Sequence, residues 1–78
     1  MSADIEQRIR EILADILGLD PARIGDDAEL GTTPGWDSAN HITLVLSLED
    51  EFSIALEAAD IDTMITFSDV VRTVEGKL

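Results

Sequence analysis

The sequence has no cysteine, one histidine, one tryptophan and only five basic residues in 78. Without cysteine there can be no disulfide and no thiolate metal site, and nothing in the composition points to an oxidising compartment. No apolar run approaches the roughly 20 residues that span a bilayer. The opening Met1-Ser2-Ala3-Asp4-Ile5-Glu6-Gln7 lacks the basic start and apolar core of a signal peptide. The expectation is therefore a cytoplasmic protein with no membrane insertion. The length predicts one small domain, residues 1–78, with a thin core, since chains of this size bury roughly 60% of the surface they expose when unfolded. That is too little for a deep enzyme cleft.

Positive charge is scarce and unevenly placed. Arg8, Arg10, Arg23, Arg72 and Lys77 are the only cations, and the interval between Arg23 and Arg72 contains none. Seventeen acids bring the formal charge to -12. Such a field repels nucleic acid and anionic membranes and attracts basic protein surfaces. On charge alone, mere solubility explains the acids as well as docking does.

The periodicity is helical throughout. From Asp4 to Leu17, Ile5, Ile9, Ile12, Leu13 and Ile16 recur at helical spacing, Ser2 or Asp4 is placed to cap the start, and Gly18 and Pro21 end the run. Residues 18–36 hold Gly18, Pro21, Gly25, Gly31, Pro34 and Gly35, a long connection with Ile24 and Leu30 as apolar pegs. A loop of that length is expected to be functional or tied down, and Trp36 is expected to pin its end by packing. From Asp37 to Phe52 the chain reads as a central helix with Ile42, Val45 and Phe52 on one face, Leu46 beside it, and Leu44 and Leu48 on another. Apolar residues over more than half the girth place it centrally or leave some for a partner. Glu49-Asp50-Glu51 sit at its C-terminal end, against the helix dipole, which hints that they serve docking. A short turn over Glu57–Asp62 precedes a last helix from Phe67 to Glu75, with Thr66 as N-cap, Asp69 at N3, Phe67, Val70, Val71 and Val74 inward, and Gly76 as the stop. The predicted fold is all-α, a small four-helix bundle of three main helices and one short one.

One constellation implies chemistry. With Asp37 as N-cap accepting the Asn40 backbone N–H, Ser38 falls in the first helical turn, facing solvent at the positive end of the dipole. A phosphodiester on that hydroxyl would lie where helix N-termini favour anions. Asp37, Ser38 and His41 within one turn are badly placed as orienter, nucleophile and base, so no catalytic residue is assigned and His41 reads as a surface residue flanking the serine. The acid-rich stretch from Asp20 to Gly31 lacks the ligand alternation of a calcium loop, and no metal site is expected.

The run Gly35-Trp36-Asp37-Ser38-Ala39-Asn40-His41-Ile42, followed by Leu44-Val45-Leu46 and Leu48-Glu49-Asp50-Glu51-Phe52, resembles the acyl carrier protein family. The similarity covers nearly the whole chain, including the closing Thr66-Phe67-Ser68-Asp69-Val70-Val71. It implies a four-helix bundle whose serine, here Ser38, carries 4'-phosphopantetheine transferred from coenzyme A, with acyl groups held as thioesters. It further implies that Asp37 helps a phosphopantetheinyl transferase recognise the site. Ala39, Leu46, Glu49, Asp50 and Glu51 would form the face that meets basic surfaces on acyl-loading and acyl-transferring synthases. Two positions depart from the family pattern. Ala39 stands where Leu is usual, and Thr43 stands where many members have Glu. Both lie on the partner face and bear on which enzymes are served. The resemblance therefore implies a monomeric, non-catalytic carrier of fatty-acid, polyketide or another dedicated pathway. The Trp-Asp-Ser opening is also similar to D-alanyl and stand-alone peptidyl carriers, and an unmodified acidic interaction module is the alternative from another class.

Overall fold

The computed structural model describes residues 2–78. Helix α1 covers Ser2–Leu17, a 3-10 turn covers Pro21–Arg23, and α2 runs Ser38–Phe52, α3 Ala58–Thr63 and α4 Phe67–Lys77. Among the described residues the only β-type pairing is an isolated antiparallel bridge between Glu29 and Thr66. The all-α bundle with one short helix is as expected.

The helix boundaries follow local chemistry. Asp37 has extended backbone angles and its carboxylate accepts the Asn40 N–H at 2.9 Å, so α2 begins one residue later, at Ser38. Thr66 and Asp69 close a reciprocal capping box at α4, with Asp69 N–H donating to Thr66 Oγ1 and Thr66 N–H donating to the Asp69 carboxylate, both at 3.1 Å. Glu57 and Asp60 form a similar box at α3. Gly18, at φ 70°, ends α1 in the left-handed conformation that glycine adopts without strain. Two expected ends differ. Helix α1 is already helical at Ser2, so Asp4 lies in its first turn and is not the cap. Helix α4 passes through Gly76 to Lys77. A glycine lowers helix propensity by about 1 kcal/mol against alanine without forbidding the helix, and Lys77 gains an ion pair with Asp60 on α3 at 2.8 Å.

The core is assembled from Ile9, Leu13 and Ala14 of α1, Leu44, Val45 and Leu48 of α2, Phe67, Val70 and Val74 of α4, and Ile24, Ala28, Trp36 and Met64 from the connections. Leu17, Leu19, Leu30 and Val71 pack against it half-buried. The long connection is thus tied down. Ile24 is its buried peg, Leu30 N–H donates to Ile65 O (2.8 Å), and Phe67 N–H donates to Ala28 O (2.9 Å). Arg10 fastens it from beneath, donating to the Ile24 carbonyl, pairing with Asp26 at 3.4 Å, and stacking its guanidinium 4.4 Å from the Phe67 ring centre.

Helix α2 corrects the expected division of faces. Ile42 is not on the buried face with Val45; it is 54% exposed. His41 is not a surface residue; it is 5% exposed and joins Leu44, Val45 and Leu48 on the inner face. Residues 41, 44, 45 and 48 follow the helical i, i+3, i+4, i+7 stripe. The indole of Trp36, buried at the loop end, takes the place beside the first turn and draws His41 inward.

Candidate functional site

The site is the junction of loop and α2. Gly35, at φ 85°, turns the chain so that its carbonyl accepts both the Asp37 N–H (3.0 Å) and the Asn40 side-chain amide (2.7 Å). His41 N–H donates to the Asp37 carbonyl at 2.8 Å, the first bond of the helix. Below the surface, Trp36 Nε1–H donates to His41 Nδ1 at 3.0 Å, the two rings tilted by 33°. His41 Nε2 is buried without a partner among the described residues. An unpaired buried donor or acceptor costs about 1–3 kcal/mol.

Within this frame Ser38 is the first helical residue and is exposed. The Asp37 side chain takes the Asn40 N–H and the Asp37 carbonyl takes that of His41. The earlier N–H groups, those of Ser38 and Ala39, are the donors a helix start leaves for an outside acceptor. Together with the dipole they favour an anion attached at the serine oxygen. The residues present therefore fit a phosphodiester-linked group.

Three other serines, Ser47, Ser53 and Ser68, fit less well. Ser68 donates its hydroxyl to the Asp26 carbonyl at 3.2 Å. Ser53 is the left-handed residue that closes α2, at φ 54°, where the negative end of the dipole opposes an anion. Ser47 lies in the middle of α2, in a groove of about 480 Å³ between α1 and α2 that also carries Glu11, Asp15, Asp50 and Glu51.

A solvent-facing row leads away from Ser38 along α2 at four-residue steps: Ser38, Ile42, Leu46 and Asp50, all exposed, with Ala39 and Thr43 exposed beside it. Leu46 is 60% exposed. The three acids at the end of the helix are not equivalent. The Glu49 carboxylate accepts the Leu56 N–H at 2.9 Å and organises the turn that follows. Glu51 pairs with Arg8 of α1 at 3.0 Å, and the guanidinium hydrogen bond holds its carboxyl below the usual range. Asp50 lies in the same groove, and of the three it alone continues the row from Ser38. Ile42 in this row and the Trp36–His41 pair were not expected. The sequence signal for the pair was a lone Trp and a lone His five residues apart across a helix start.

Among the described residues no group of three or more His, Cys, Asp or Glu side chains is placed to hold a metal ion. No helix among them is long and apolar enough to cross a membrane.

Residues 7–74 match the protein family described as a phosphopantetheine attachment site. The chain is similar to the acyl carrier protein of Thermotoga maritima, 31% identical over 75 residues that cover 96% of this chain and 93% of the relative. It is 30% identical to the acyl carrier proteins of Sinorhizobium fredii and Rhizobium meliloti, over 73 residues covering 94% of each chain. With a helical bundle, a serine offered at a helix start and a match over most of its length, the chain belongs to the phosphopantetheine-binding acyl carrier protein family.

Proposed function

We propose that Ser38 is the residue that carries the 4'-phosphopantetheine arm, and that the protein itself catalyses nothing. The observation that carries this reading is the Ser38 hydroxyl, exposed as the first residue of α2 and framed by Gly35, Asp37 and Asn40. When bound, the arm supplies a terminal thiol on which acyl groups are carried as thioesters. The chain's own residues present the hydroxyl, supply N–H groups and a dipole that favour the phosphate, and offer a face to partners. One continuous core from Ile9 to Val74 supports treating residues 1–78 as one carrier unit.

The partners we assign are a phosphopantetheinyl transferase, which loads the arm from coenzyme A in the cytoplasm, and synthases that acylate and deacylate it. Asp37 serves the transferase indirectly, as the cap that fixes the first turn. The docking face is the row Ile42, Leu46 and Asp50 with Ala39 beside it, apolar near the arm and acidic at its far end. Glu49 and Glu51 add to the field but also hold the protein's own turn and helix pair. A partner surface with an apolar patch bordered by Lys or Arg complements this face. A tethered group reaches each partner at a high effective concentration, which is what a carrier contributes.

Incubation with a phosphopantetheinyl transferase and coenzyme A, followed by intact mass measurement, tests the assignment. The expected result is a gain of one phosphopantetheine, abolished in Ser38→Ala. No gain with any transferase, or an unchanged gain in Ser38→Ala, would refute it; the first outcome favours an unmodified acidic interaction module.

A further inference from the structure

Trp36 and His41 bracket Ser38 in sequence and meet beneath it. Three surface hydrogen bonds, Asp37 N–H to Gly35 O, Asn40 N–H to Asp37 Oδ1 and the Asn40 amide to Gly35 O, knit the junction to itself. Among the described residues only the Trp36–His41 side-chain bond joins its two sides inside the core, where Trp36 is 1% and His41 5% exposed. The indole nitrogen can only donate, so His41 Nδ1 has to be bare and the neutral ring carries its proton on Nε2. That Nε2 is the atom left without a partner. Packing alone would be served by an apolar side chain of similar size, with no orphaned donor. A polar pair kept at that cost fixes geometry, because a directional bond specifies one arrangement where apolar contacts allow several.

We propose that His41, held as its Nε2–H tautomer by the Trp36 indole, is a positioning residue for modification of Ser38. It sets the angle between the loop end and the first turn of α2, and so the direction in which the hydroxyl leaves the surface. The exposed serine has no wall of its own to orient it, so this frame is what presents it to a transferase. The inference rests on the reading that Ser38 carries the arm.

The test combines ring NMR with loading kinetics. Long-range proton–nitrogen correlations of the single histidine are expected to show protonated Nε2 and an unprotonated, hydrogen-bonded Nδ1. His41→Leu keeps bulk and burial but removes the acceptor; Trp36→Phe keeps an aromatic ring but removes the donor. Each variant, folded at the assay temperature by circular dichroism, is expected to lose about tenfold or more in kcat for loading by the transferase, the scale on which small misplacements act. The KM for the carrier stays within about twofold, since the outer face of α2 is untouched. His41→Gln, whose Oε1 can accept the indole N–H, is expected to return kcat to within about threefold of wild type. A proton on Nδ1, a folded His41→Leu or Trp36→Phe that loads at the wild-type kcat, or a Gln variant as slow as the Leu variant would overturn the proposal. Wild-type protein that loads at Ser38 while these variants load equally well sinks this inference alone. Wild-type protein that takes no arm sinks the Ser38 assignment and this inference with it.

Discussion

Asp37 and Asp69 show how a single carboxylate fixes a helix start, and how far such a role can be foreseen. Asp37 was expected as an N-cap and Asp69 as the N3 partner of the Thr66 cap, because capping depends on a spacing of three residues and little else. The hydrogen bond from the Thr66 backbone N–H holds the Asp69 carboxyl below the ordinary aspartate value of 3.8. A group with a depressed folded pKa stabilises the fold above its unfolded pKa, and that stabilisation is lost as pH falls through the folded value. Asp69→Asn is therefore expected to melt below wild type at pH 6, with the gap narrowing as pH is lowered from about 4 toward 2. Thermal melts across that range check it, and a gap that widens on acidification would contradict the assignment. His41 shows the opposite case. Its burial could not be read from the sequence because it depends on the indole of a residue outside the helix. Neither helical periodicity nor composition carries that information.

At the scale of elements, the long connection and the outer face of α2 divide the work. The connection holds the site by being fastened to α1 and α4, and Arg10 is its main fastening. Arg10→Met keeps most of the stem's packing but leaves the Ile24 carbonyl without its donor. The expected cost is about 1–3 kcal/mol, read as a lower melting temperature together with faster amide exchange in residues 24–30. Unchanged exchange there would show that the loop is held by its apolar pegs and its backbone bonds to Ile65 and Phe67, without Arg10. On α2, the sequence showed that apolar residues exceed one buried stripe, but not which would be left over. Leu46 was expected outside and is; Ile42, grouped by periodicity with Val45 and Phe52, is outside as well while Val45 is buried. The choice falls to neighbouring elements, since Trp36 bonds to His41 from the loop end and α1 packs along α2, with Leu44, Val45 and Leu48 in the shared core. Leu46→Glu is expected to change stability by no more than about 0.5 kcal/mol, as for other surface positions, while slowing transfer from the carrier to its synthases. A variant that loses stability instead would place Leu46 in the core.

For the molecule as a whole, seventeen acids against five bases leave a body about 27 Å across that repels itself and draws in basic partners. The overall charge and bundle were legible in the sequence because both are sums over many residues. The division of labour among Glu49, Asp50 and Glu51 was not, because it depends on which acids the folded chain uses internally. Salt screens both effects, so raising it is expected to increase the melting temperature while weakening docking to the transferase. Asp50→Lys, which breaks neither the Glu49 turn nor the Arg8–Glu51 pair, should raise the KM for loading at low salt and lose that effect at high salt. An equal penalty at both would remove Asp50 from the docking face. The central claim is that, among five serines, the one at the start of α2 bears the arm. Peptide mapping by mass spectrometry after loading tests it most directly. The whole of the added phosphopantetheine is expected on Ser38, and modification found on Ser2, Ser47, Ser53 or Ser68 instead would overturn the assignment.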